Sequence, residues 1–262
     1  MDTYTCLFGT IIACSFGSFQ VLFHWASPVL SRRFCPGFSA LPAKKIIEWH
    51  SRIVSTLHAL VVGTFCLYIL WFDKAVNVDP VWGEPLTVQL SIAITTGYLF
   101  SDLLLILHYW RDIGDCFFIM HHLSAVYAYY YVLTMGVLPY FANFRQLAEL
   151  STPFVNQRWF LEAIGYPKNS WLYVATGVAM AVAFFMVRIA VLPPYYMSML
   201  GTIRSPVFDT LGLGPKISWL AASICLDIMN IIWMSKIARG CYKVMFVTRR
   251  AAKKCLLNGK EN

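Results

Sequence analysis

The chain has 262 residues, of which 58% are hydrophobic and 13% charged, with a formal net charge of +8. That charged share is about half the ~25% of a soluble domain, and a soluble body of this size leaves too much apolar surface in water, so an ordinary cytosolic fold is excluded. An aromatic share of 16% excludes disorder as well. These figures describe an all-α, polytopic transmembrane helical bundle.

Runs of roughly 20 apolar residues cross a hydrocarbon core of ~30 Å. Seven appear in chain order, at about 5–30, 46–72, 91–110, 117–138, 141–157, 171–196 and 217–238. The first opens on Asp2 instead of a basic n-region and precedes no small-x-small cleavage site, so it is expected to be a retained span. The second opens with Glu48, His50 and Arg52, expected as interfacial anchors, and carries His58 two turns deeper. The third carries Asp102 and His108. After the turn Arg111–Cys116, the fourth carries His121 and His122 and ends in Tyr127, Tyr129, Tyr130 and Tyr131, which fit an aromatic belt or a cavity lining. The fifth is the weakest, with Arg145, Glu149 and Pro153 inside it; broken or re-entrant, it would reduce the count to six. Arg145 and Glu149 stand at i,i+4 and predict an ion pair on one face. In the last two spans, Arg188 is matched in depth with Asp227, three residues before Asn230.

With seven spans, one side of the membrane receives Arg32, Arg33, Lys44, Lys45, Arg111, Arg158, Lys168 and the basic tail from Arg239 onward. The other side receives Lys74, Arg204 and Lys216. The positive-inside rule therefore predicts a cytosolic C-terminus, and the +8 balance records topology, with no nucleic-acid partner expected. The cysteines are scattered and mostly within spans or at the basic side, so no disulfide framework is implied; those at the cytosolic edge are possible palmitoylation positions.

Antiparallel pairing of 91–110 with 117–138 brings His108 to the depth of His121 and His122. Asp102 lies ~9 Å deeper than His108 and is rotated from it by about 120°. Polar groups at membrane depth are costly and face the bundle interior, to pair or to serve a site. A carboxylate fixing an imidazole's tautomer leaves the ring to act as a base or transient acyl carrier. The competing reading is interhelical hydrogen bonding alone. One His-His pair among six histidines is too few for a di-iron centre, and no metal or cofactor is expected.

The stretches S-D-L-L-L-I-L-H-Y-W and M-H-H-L-S, followed by F-R-Q-L-A-E-L-S-T-P-F-V-N-Q-R-W, resemble the TLC domain family. That family unites the ceramide synthases, the translocating-chain-associating membrane proteins and the ceroid-lipofuscinosis proteins. The resemblance covers residues 41–243, leaving 1–40 as an added helix with a basic loop and 244–262 as a basic tail. It implies a helical bundle around a lipid-accommodating cavity in the endoplasmic reticulum membrane. In ceramide synthases the corresponding histidine pair and nearby aspartates support acyl transfer from acyl-CoA to a sphingoid amine. By position these are His121, His122 and Asp102, to which His108 is added as a candidate catalytic group. Glu149, Arg145, Tyr127, Asn156 and His58 are the candidate lipid contacts. The ceramide synthases carry a His-Asp and further acidic residues on the next helix, where this chain has Asn143, Arg145 and Glu149. The expected role is therefore lipid homeostasis, by binding or handling lipid or acyl chains without full ceramide synthase chemistry. The alternative is an acyltransferase-like enzyme with acyl-CoA as co-substrate. A third reading, a seven-span receptor or transporter, lacks Asp-Arg-Tyr, Asn-Pro-x-x-Tyr and a luminal cysteine pair.

Overall fold

The computed structural model describes the backbone of residues 3–258 and the side chains of 4–242. The side chains of the basic tail at 244–262, Cys255 among them, lie outside the described residues. The described residues form helices joined by short turns, without a strand. Six helices are long and apolar enough to cross a membrane: α1 (Tyr4–Phe34), α2 (Ala43–Phe72), α3 (Leu86–His108), α4 (Cys116–Met135), α6 (Trp171–Ile203) and α7, whose apolar part is Leu213–Tyr242. α7 itself continues as helix to Asn258.

The remaining segment, α5, is the broken one. It runs as α-helix over Pro139–Gln146, tightens to a 3-10 turn over Leu147–Ser151 and resumes as α-helix over Thr152–Ala163. Pro153 falls in the first turn of the resumed helix, where its missing N–H costs nothing but prevents an unbroken α-helix from running through. α5 nevertheless lies antiparallel along α2. Near one end Asn143 Nδ2 donates to the Cys66 carbonyl at 3.3 Å, and farther along Asn156 Nδ2 donates to the Arg52 carbonyl at 3.0 Å. At the other end the rings of Trp49 and Phe160 stand 4.5 Å apart. From Cys66 to Trp49 the helix rises about 25 Å, close to a hydrocarbon thickness. The chain thus traverses the bundle seven times, once through a helix too polar and irregular to be recognised by apolarity.

The connections sort accordingly. At one end Leu138 N donates to the Val81 carbonyl at 2.8 Å and Trp82 Nε1 to Thr210 Oγ1 at 3.0 Å, gathering the turns after α2, α4 and α6. At the opposite, basic end Phe38 and Leu41 pack with Trp49, Trp159 and Phe160, joining the turn after α1 to the end of α5. Element boundaries follow caps more than hydropathy. Asp115 accepts from Phe117 N at 2.7 Å to start α4, and Gly136, at φ +68°, ends it in the left-handed conformation that glycine adopts without penalty.

α3 is the central helix, with 67% of its apolar window buried against 11% for α6. It is flanked by α1, α2 and α4. α1 closes on it at Gly97, where a Cβ would fall 2.5 Å from the Ile12 carbonyl oxygen. Ser15 Oγ donates to the Ile94 carbonyl at 2.7 Å beside this contact. The outer surface is apolar (Leu60, Leu104, Leu123, Val178, Val182, Ile228), as a lipid-facing surface requires.

Candidate functional site

Two helix irregularities face each other in the middle of the bundle. One is the 3-10 turn of α5, which carries Glu149; the other is a π-helical turn of α6, Phe185–Ile189, which carries Arg188. π turns recur at functional sites because they re-aim a side chain that a regular helix would present elsewhere. Between these turns and α3, α4 and α7 lies a recess of about 620 Å³, its mouth included. Its polar wall is made by Glu149, Arg188, His121, Asn230 and Arg145, and its apolar wall includes Leu99, Ala125 and Leu226.

A second recess of about 480 Å³ shares Ala125, Tyr129, Arg145, Tyr195 and Leu226 with the first. It continues toward the end opposite the basic one, between Val132, Val137, Leu138, Phe141 and Trp219. The two recesses adjoin at their shared residues, the first polar at mid-depth and the second mostly apolar.

Asp102 and His122 meet, although the expected pairing of α3 with α4 put His108, and not Asp102, at the depth of the histidine pair. His122 Nε2 stands 3.0 Å from Asp102 Oδ2, and Nδ1 stands 2.6 Å from the Phe118 carbonyl oxygen. Ser51 Oγ donates to Asp102 Oδ1 at 3.5 Å. The Phe118 carbonyl oxygen only accepts, so Nδ1 carries the hydrogen of that bond, and the Nε2–Asp102 bond takes its hydrogen from either the ring or the carboxyl. Both residues are buried, so the dyad sits behind the recess and does not line it. His121, about 100° around α4, is the histidine that borders the recess. Its Nδ1 is buried without a hydrogen-bond partner.

His58 is fully buried and stacks on Tyr98 with ring centroids 3.8 Å apart. Its Nδ1 lies 3.9 Å from Glu149 Oε2, and neither ring nitrogen is hydrogen bonded. Glu149 also accepts from Thr152 Oγ1 at 3.2 Å.

Several expectations are corrected. His108 lies on the exposed side of α3, against the edge of Tyr109 at 4.6 Å, away from Asp102 and His122. The expectation put it level with the histidine pair, but His122 bonds Asp102, which sets the pair about 9 Å deeper than His108, and the rotation from Asp102 also turns His108 outward. Tyr127 is exposed and packs on Tyr131, with centroids 5.8 Å apart, outside both recesses. Asn156 is a clasp between α2 and α5, donating to Ser55 Oγ at 2.8 Å and accepting from Arg52 Nη1 at 2.9 Å. His50, expected at the interface, is buried and bonded to Ser27 Oγ at 2.7 Å. Glu48 and Arg52 pair with each other at 2.8 Å.

Arg145 does not pair with Glu149. A 3-10 turn advances 120° per residue instead of 100°, so the intervening turn carries Glu149 round toward His58. Arg145 instead forks onto Asp227, with Nη2 to Oδ2 at 2.9 Å, and lies 3.8 Å over the Tyr195 ring. Tyr196 Oη donates to the same Oδ2 at 2.7 Å. Arg188, matched by depth to Asp227, donates instead to Ser151 Oγ at 2.9 Å and Asn230 Oδ1 at 3.0 Å. Among the recess residues, Arg188, Asn230 and Tyr195 were not anticipated as site residues, whereas Tyr129 lines the recess in one of the two roles read for the tyrosine run. Arg188 had a visible signal, a lone cation in an apolar run; Tyr195 had none.

Residues 48–239 match the TLC domain family. The chain is 61% identical over 235 residues to TLC domain-containing protein 4-B of Danio rerio, covering 90% of this chain and 89% of that protein. It is 50% identical over 261 residues to TLC domain-containing protein 4 of Homo sapiens, covering 99% of each. A more distant relative, Topoisomerase I damage affected protein 4 of Saccharomyces cerevisiae, is 26% identical over 238 residues, with 87% and 82% covered. With a family match spanning most of the chain and relatives of such identity along nearly its whole length, this protein belongs to the TLC domain family.

Proposed function

We propose that this is a multi-pass protein of lipid homeostasis in the endoplasmic reticulum membrane, with its C-terminus in the cytosol, which holds a lipid or acyl chain inside the bundle without full ceramide synthase chemistry. The observation that carries this reading is the pair of adjoining recesses, one polar around Glu149 and Arg188 and the other apolar around Phe141 and Trp219. A site with one polar region and a long apolar wall, surrounded by lipid-facing helices, suits an amphiphile drawn from the bilayer. The skew of Lys and Arg toward the loops after α1, α3 and α5 and the tail supports the orientation. Membrane lipids are the partners, and the reading needs no cofactor or nucleic acid.

The test is native mass spectrometry of the protein purified in mild detergent. A bound lipid or acyl chain is expected, and Ala222→Phe, which fills the apolar recess, should strip it. Protein that flies without adduct at every detergent condition would overturn the reading.

A second reading is favoured by the Asp102–His122 contact beside His121 at the recess. Here an acyl group passes from acyl-CoA to an acceptor hydroxyl or amine, with an imidazole as base and Asp102 orienting the pair. Lipidomes of cells lacking the protein, rescued with wild type or with His121→Ala/His122→Ala, separate the two. Equal rescue by both sinks the catalytic reading and leaves the binding one standing.

A further inference from the structure

We propose that Arg188 anchors the anionic end of a single-chain amphiphile, a fatty carboxylate or a phosphate monoester, whose chain runs into the apolar recess. This rests on the lipid-holding reading above and names the class of ligand. Its starting point is an imbalance. An ionised group taken out of water is costly unless an opposite charge or good hydrogen bonds compensate it. Among the described residues, Arg145 forks onto Asp227, Arg52 bonds Glu48, and Arg158 lies 3.6 Å from Glu162. Arg188, at 8% exposure, hydrogen-bonds two neutral oxygens, those of Ser151 and Asn230, and lies 5.0 Å over the Phe184 ring, with the Glu149 carboxylate in its surroundings but beyond ion-pair distance.

The π turn aims this guanidinium into the recess, so the deficit lies beside open space and not in packed core. His121 lines the same space with its buried Nδ1 unpartnered, which adds a second polar atom with nothing to bond. Glu149 lines the recess too, but it is engaged with Thr152 at 3.2 Å and lies 3.9 Å from His58, and it forms no ion pair with Arg188. A planar guanidinium presents paired donors that match a carboxylate or phosphate. The anion would complete Arg188 where the protein has left it incomplete.

The place of the chain follows from α7. From Asn230, beside Arg188, to Trp219, in the apolar recess, the helix rises about 16 Å. Tyr129, Arg145 and Tyr195 border both recesses at their junction. A ligand with its acid at Arg188 therefore passes this junction and lays its chain between Val132, Phe141 and Trp219.

The experiment measures equilibrium binding of oleate, oleoyl lysophosphatidate and uncharged oleyl alcohol to the full-length protein in nanodiscs. At least one acid should bind about ten-fold or more tightly than the alcohol. Arg188→Gln should bring that acid down to the level of the alcohol, and Ala222→Phe should weaken all three. Whether oleate or lysophosphatidate has the larger preference distinguishes a carboxylate from a phosphate ligand. Should Arg188→Gln not fold, Arg188→Lys, which keeps the charge but loses the fork, should lower the preference several-fold. Acids that bind no better than the alcohol, or a preference unchanged in the Arg188 variants, would overturn the assignment while leaving lipid binding intact. If none of the three binds wild-type protein, the lipid-holding reading falls first.

Discussion

Arg145 and Asp227 show how a charge pair at membrane depth constrains the fold around it. The guanidinium is held by two carboxylate oxygens and a tyrosine face, and the carboxylate is also held by Tyr196. Removing one member of such a pair leaves the other charge buried without compensation, which costs about 3–5 kcal/mol, whereas replacing both by apolar groups of similar volume is close to neutral. Asp227→Asn is therefore expected to lower the thermal unfolding midpoint in detergent markedly, and Arg145→Met/Asp227→Leu to recover most of the loss. Equal midpoints for Asp227→Asn and wild type would show the pair to be energetically idle. At this scale the sequence was legible only in part. It gathered Asp102 and the histidine pair around one site, but it put His108 level with the pair, whereas the Asp102–His122 bond sets the pair about 9 Å deeper. Azimuth depends on how α3 rolls against α1 and α2, which no single segment encodes, and that roll turns His108 out. The Arg145–Glu149 pairing failed for a related reason: it assumed α-helical phase through a turn that is 3-10.

The two irregular turns set the geometry of the site at the scale of elements, and they differ in how visible they were. Pro153 in F-R-Q-L-A-E-L-S-T-P marks the interruption of α5 in advance, because no regular helix passes a proline without losing a backbone bond. The π turn at Phe185–Ile189 has no such marker, since Pro193 and Pro194 follow only in the next turn and the run before it is uniformly apolar. Helix-on-helix approach is also encoded by small residues. Gly97 lets α1 and α3 touch backbone to side chain, whereas Gly17 on α1 faces open space. Gly97→Val should push α1 away from α3, seen as increased proteolysis or as loss of a cysteine crosslink between positions 15 and 94. Gly17→Ala should leave both readouts at wild-type levels. Undisturbed crosslinking in Gly97→Val would mean that α1 docks elsewhere.

For the whole molecule, seven traverses put the described ends of the first and last helices at opposite ends of the bundle, whereas six would put them together. Of tags at residue 1 and residue 262, one is expected to be protected from protease in sealed microsomes and the other cleaved; protection of both or of neither would show that α5 turns back within the membrane. Composition and spacing revealed the class, the number of segments and the family resemblance, because these depend on total apolar length and on a few costly polar residues. The adjoining recesses were beyond them, since they arise from the mutual arrangement of five helices. One of these, α6, has only 11% of its apolar window buried and packs mainly on α5 and α7. In a bilayer, lipid tails replace helix neighbours at little cost, so a helix held by so few contacts separates more readily than the central α3. α6 also carries Arg188, so the wall that meets the bilayer and the residue that completes the polar recess are the same element. Under the lipid-holding proposal, traffic between recess and bilayer is a lateral exchange, whose speed depends on the lateral pressure and thickness of the surrounding lipid as much as on the protein.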